Sequence, residues 1–223
     1  MQAHMRRLLG GLVVGTVLAL GLTTAASARN FSVTSQGFRI RWTALEFRVE
    51  MSNVRCPVVM EGNLHTATFV KSAGSLIGYI TRGIVTRPCV GGTVWAFNGT
   101  EENEILRFRL GTSLPWHVTY EGFTGTLPNP TGVRTLLSEA AFIVRASILG
   151  IVTLCTYRTG VVGGGNAGGV FNLGAGGAVT GYELDATRVI NSSSGGICPQ
   201  LRMGGVGAVT KLINNEAIEF RLI

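Results

Sequence analysis

Between Leu114 and Glu121 the chain reads Leu-Pro-Trp-His-Val-Thr-Tyr-Glu, its densest group of chemically versatile side chains. On a strand, successive side chains alternate faces. His117, Thr119 and Glu121 then share one face, and Trp116, Val118 and Tyr120 the other. With the aromatic face in the core, an imidazole, a hydroxyl and a carboxylate line up on the surface. Such a row can bind a polar ligand or support proton transfer from His117 with a glutamate. It is also what an ordinary solvated strand face looks like. His117, Thr119 and Glu121 are therefore candidate binding residues, and no residue is assigned as catalytic.

The rest of the chain narrows the chemistry by scarcity. Beyond residue 28 there are two histidines, His65 and His117, and one aspartate, Asp185. A three-histidine zinc site cannot be built from them, nor an Asp-rich calcium loop. A serine triad would have to use those histidines with Asp185 or a glutamate, and no G-x-S-x-G elbow is present. A glycosidase pair would have to come from the eleven glutamates. Of these, Glu101, Glu102 and Glu104 follow Asn98-Gly99-Thr100 and read as a solvated turn. Gly163, Gly165 and Gly168 satisfy G-x-G-x-x-G, but Val170-Phe171-Asn172-Leu173-Gly174 behind them is no helix start, which the dinucleotide fingerprint requires. No cofactor and no metal is expected.

The first 28 residues carry export information. Arg6 and Arg7 precede an apolar run from Leu8 to Leu22, and Ala26-Ser27-Ala28 offers a small-x-small cleavage site. The run of 15 residues is short against the roughly 20 a bilayer requires, so a cleaved signal is expected in place of an anchor. Residues 29–223 then form the mature chain, with no second apolar segment of membrane-spanning length. That chain keeps 17 basic and 12 acidic residues, a formal +5. Its arginines stand singly among apolar residues, and no nucleic-acid motif accompanies them, so nucleic acid is not an expected partner. An envelope polymer or a second copy of the chain remains open as partner.

Cys56, Cys89, Cys155 and Cys198 make an even count in an exported chain, which predicts two disulfides. Of three connectivities, Cys56–Cys89 with Cys155–Cys198 is favoured, because each bridge then staples one half of the chain. The sequons at Asn30, Asn98 and Asn191 would matter only in a eukaryotic host. The Gly-, Ala- and Arg-rich, Lys-poor usage suggests a high-GC bacterial one.

Period-two alternation must position all these groups. Phe38, Ile40 and Trp42 alternate with Arg39 and Arg41; Leu45, Phe47, Val49 and Met51 with Glu46, Arg48 and Glu50; Leu106, Phe108 and Leu110 with Arg107 and Arg109. Many short strands between Gly-rich turns predict one all-β domain, an antiparallel β-sandwich with a partly open β-barrel as alternative. Trp42 and Trp95 are expected in the core. Residues 133–144 carry a helical stripe and read as a short helix or as two strands. Residues 160–181 hold ten glycines and read as a long mobile loop or a glycine-lined hairpin.

Leu76-Ile77-Gly78-Tyr79-Ile80-Thr81, Cys89 with Gly91-Gly92, and Leu114 to Tyr120 leading to Gly125-Thr126-Leu127-Pro128-Asn129 together resemble exported all-β proteins of unassigned function from actinobacteria. The resemblance implies secretion and brings no activity or ligand. The expected function is a secreted, non-catalytic binding or cell-envelope-associated module. The alternatives are an extracellular hydrolase using His117 with a glutamate, and a self-assembling structural surface protein.

Overall fold

The computed structural model describes residues 30–50, 52–96, 114–160, 165–194 and 197–223. The expected leader, the acidic run at Glu101, the strand around Phe108, Met51 and the sequon at Asn98 lie outside the described residues. Fourteen strands occur among the described residues, and every pairing between them is antiparallel.

Eight of them form one sheet: β2 (Gly37–Val49), β3 (Ser52–Leu64), β5 (Leu76–Val85), β7 (Trp116–Thr126), β8 (Asn129–Ser138), β11 (Ala167–Leu173), β12 (Val179–Leu184) and β13 (Leu201–Lys211). Each pairs with the next in chain order, and β13 returns to β2, so the ladder closes on itself. Register shifts in several ladders keep it from being a regular barrel. The alternation in β2 explains one of them. Phe38, Ile40 and Trp42 are buried at even positions, Leu45, Phe47 and Val49 at odd ones. Trp42 faces Val58 while Leu45 faces Cys56, so β2 carries one extra residue there. That bulge keeps both apolar sets pointing inward.

Two smaller sheets complete the layers. One is β14 (Phe220–Leu222), β1 (Asn30–Val33) and β4 (Thr68–Val70); the other is β10 (Ile151–Arg158), β9 (Ala141–Ile148) and β6 (Gly92–Ala96). β7 shows where they pack. Trp116 meets Phe142 of β9 at 5.2 Å between ring centroids, while Tyr120 meets Phe31 and Phe69 at 6.3 and 6.1 Å. Between these layers Phe38, Ile40, Met60, Val118, Phe171 and Tyr182 fill the interior, and one continuous core joins all three sheets. Disulfides Cys56–Cys89 and Cys155–Cys198 staple it in the expected connectivity.

Residues 133–144 are two strand segments, the end of β8 and the start of β9, joined at Glu139–Ala140, and the helical stripe is a coincidence of residues from both that includes the outward Leu136. Of the glycine-rich segment, residues 165–181 take the hairpin alternative, with β11 and β12 flanking a 3-10 turn at Ala175–Gly177, and residues 161–164 lie outside the described residues. β11 is bonded on both sides, to β8 and to β12, so it is wall and not loop. Trp42 is buried as expected, but Trp95 is only half-buried, with the Arg87 guanidinium 6.0 Å from its ring.

Candidate functional site

Trp116, Val118 and Tyr120 are all buried, so the expected facing of β7 holds, with His117, Thr119 and Glu121 on its partly exposed outer face. The three do not form one cluster. Glu121 is the extra residue of a bulge, because Tyr120 pairs with Thr135 while Gly122 pairs with the next residue back, Arg134. His117 lies four residues upstream, about 13 Å along an extended strand.

Glu121 belongs to a charged network. Arg188 Nη2 donates to both carboxylate oxygens at 2.6 Å, and Arg134 Nη2 approaches Oε2 at 3.2 Å. Arg188 is delivered by a tight turn after β12. The Arg188 amide donates to the Asp185 carbonyl, and the Asp185 amide donates to Gly168 on β11. Asp185 Oδ1 accepts the amide and the hydroxyl of Thr187, an Asx turn. Those hydrogen bonds, the hydroxyl's foremost and with Arg188 adding to them, hold the Asp185 carboxyl below its usual range. Arg188 Nε is buried without a hydrogen bond: Asp185 Oδ2 is 3.3 Å away but poorly aligned. It lies over Gly168, where a Cβ would come within 3.1 Å of it, so a side chain on β11 would obstruct the arginine.

This network is one wall of an open groove of about 650 Å³ on the outside of the eight-stranded sheet. Gly169 of β11 and Gly204 and Gly205 of β13 bring bare backbone to its lining. Across from Arg188, Glu46 of β2 is paired with Arg48 and Arg55. The hydrogen bond from Arg48, with the charge of Arg55 beside it, holds Glu46 below the ordinary carboxylate range. Glu183 of β12 adds an exposed carboxylate that enters no ion pair among the described residues. The lining thus offers ionised acceptors and guanidinium donors side by side.

His117 stands outside this groove. Its ring lies 5.1 Å from Tyr79 of β5, whose other neighbour is His65 at 4.6 Å. His117 Nδ1 is 3.6 Å from Glu139 Oε1, longer than a hydrogen bond. Thr119 sits between the two groups on the same face and is not part of the groove lining.

Sequence reasoning found Glu121 but missed Arg134, Arg188, Glu46 and Glu183, which read as scattered solvated charges. The β7 bulge and the β12 turn bring Arg134 and Arg188 to Glu121, and the pairing of β13 with β12 and β2 brings Glu46 alongside; none of these has a charge signature. Compared with protein-family models, curated proteins and solved structures, the chain matches none.

Proposed function

We propose that this protein is an exported, non-catalytic binding module that holds a hydroxyl-rich chain, a saccharide of the cell envelope, in the groove between β7 and β2. The observation that carries this is the groove's lining: carboxylates and guanidiniums alternate over bare backbone. A sugar hydroxyl both donates and accepts, so it can pair with Glu183 or Asp185 and with Arg134 at once. An open trough suits a chain better than an enclosed small molecule.

The same lining speaks for binding over hydrolysis. A general acid requires a carboxyl raised toward neutrality. Glu46 and Asp185 are shifted the opposite way, held ionised by their hydrogen bonds. The hydrolase alternative centres on His117, which meets Glu139 on the open wall away from the groove. Export is supported by the leader-like first 28 residues and by two disulfides, which persist in oxidising compartments.

Calorimetric titration with soluble cell-wall polysaccharide fragments tests the proposal. Glu183→Gln and Arg134→Gln, both at exposed positions, should weaken binding about tenfold each, as expected for a lost charge-assisted hydrogen bond. Unchanged affinity in both variants, or progressive cleavage of the fragments, would overturn it.

A further inference from the structure

The sheet β6–β9–β10 carries a feature that the groove does not use. β9 and β10 pair in unbroken register from Ala141↔Arg158 to Ile148↔Ile151. β6 stops pairing at Gly92↔Ala146, so the rungs Ser147↔Val152 and Ile148↔Ile151 and their turn run on past it. This tip is apolar and exposed: Leu149 is 76% exposed, Ile151 60% and Val152 61%. Ile148 beneath is buried and fastens the hairpin to the core.

The turn conformation makes the leucine informative. Leu149 and Gly150 have φ of 51° and 80°, the two left-handed positions of a type I′ turn. Asn or Asp fits the first position; a bulky apolar residue is strained there. Apolar bulk is thus kept where local conformation opposes it and where it contributes nothing to the core.

Charge identifies what the tip meets. The three strands contain no Asp or Glu; their charged residues are Arg145 and Arg158. Arg145 is exposed, one rung below Ala146 on the β9 side of the tip. Two rungs reach about 7 Å past β6, with the turn beyond them, matching the shallow depth of interfacial insertion, roughly 5–10 Å. Apolar side chains beside an exposed arginine, on strands that carry no carboxylate, complement an anionic lipid surface. A second copy is a poorer fit. The far half of the β10 edge is occupied by Ser193, whose amide donates to Thr156, and by Ser194, whose hydroxyl accepts from it. Only Ile151 to Leu154 remain for edge pairing, fewer residues than a typical strand offers.

We propose that the β9–β10 tip docks the protein on an anionic membrane surface by inserting Leu149, Ile151 and Val152 among the headgroups. The test is co-sedimentation of the mature protein with vesicles of phosphatidylcholine and phosphatidylglycerol in equal parts, and with pure phosphatidylcholine. We expect binding to the anionic vesicles, weaker binding to the neutral ones, and a loss of about tenfold for Leu149→Asn, since each buried aliphatic side chain contributes that much or more. Asn suits the turn, so this variant keeps its fold, and Ile151→Thr with Val152→Thr provides a second set. Polysaccharide binding in the groove should be untouched in all of them, which separates this proposal from the previous one. No sedimentation, binding unchanged in both variant sets, or a dimer seen by analytical ultracentrifugation that Leu149→Asn dissolves while vesicles are ignored, would each overturn it.

Discussion

Gly169→Ala asks whether the glycine-rich segment is a packed wall. Gly169 lies in β11, opposite Thr135 on one side and Leu184 on the other. A Cβ built on it would sit 2.3 Å from the Glu183 carbonyl oxygen and 2.8 Å from the Tyr182 ring. The carbonyl is backbone, so no rotamer relieves the clash. The ring is buried, with its hydroxyl 3.0 Å from that of Thr135. Either β11 leaves β12 and loses ladder bonds, or the ring is driven into a filled interior. Overpacking costs about 1–3 kcal/mol, and each lost ladder bond about 1 kcal/mol. We therefore expect a loss of about 2–4 kcal/mol. Gly122→Ala is the matched control, since no atom lies within 4 Å of its Cβ position. Its φ is not left-handed, so alanine there should be neutral or add about 0.4–1 kcal/mol by restricting the unfolded chain. A domain of this size shifts by about 2–4 °C per kcal/mol, so the two variants should melt roughly 5–15 °C apart. Coincident melts would mean that β11 does not press on β12, and the bare-backbone lining of the groove would lose its explanation.

Other perturbations check separate parts of the structure. Trp116→Ala should cost about 3–5 kcal/mol in urea unfolding because the indole is wholly buried, whereas His117→Ala on the outer face should stay within about 0.5 kcal/mol. Reducing the bridges, which close loops of 33 and 43 residues, should remove about 4 kcal/mol each in a loop-entropy picture, read as a lowered melting point. Asp185, with its carboxyl held down by Thr187, adds stability at neutral pH that is lost as pH falls through its depressed folded value. In an NMR titration Thr187→Ala should move that midpoint back up. Burial pushes the Tyr182 hydroxyl up to about 12. The unfolded chain therefore releases this proton first, and stability should decline between pH ~10 and pH 12, less so in Tyr182→Phe.

What could be read from the sequence, and what could not, follows from the range of each interaction. The facing of Trp116 against His117 is a period-two property of six neighbouring residues, and it holds because one side of β7 meets the core. The disulfide connectivity was legible for a similar reason, as each bridge closes within its own half of the chain. Helix against strand at 133–144 was not, because the Glu139–Ala140 break between β8 and β9 shifts the apolar phase and imitates a 3.6 period. In β2 the same kind of phase change, from Trp42 to Leu45, was visible as two alternations of opposite parity, and the bulge between them is its physical cause.

The candidate site was half legible on the same principle. Glu121 was found through local alternation, but its bulge, which pairs Gly122 with Arg134, depends on a strand that follows in the chain. Arg188 arrives from 67 residues away through a turn whose Asp185 amide is tied to Gly168. No local pattern links those positions. The connection runs through a glycine, since a Cβ at Gly168 would press on the Thr135 carbonyl at 2.6 Å and crowd the arginine lying across β11 at 3.1 Å. The glycine-rich stretch, which in sequence reads as a failure to pack, is therefore what permits the charged network to assemble on the wall. Gly168→Ala puts this to a direct test. Its Cβ would meet the Thr135 carbonyl at 2.6 Å and Arg188 Nε at 3.1 Å, so it should destabilise the sheet and release Arg188 from Glu121. Arg188→Met keeps the strand intact and removes only the cation. If both variants lose groove binding but only Gly168→Ala loses stability beyond about 1 kcal/mol, the glycine acts on both wall and site. If Arg188→Met binds as well as the parent protein, the Glu121–Arg188 pair is wall alone, and the ligand must be held by Glu183, Arg134 and the glycine backbone.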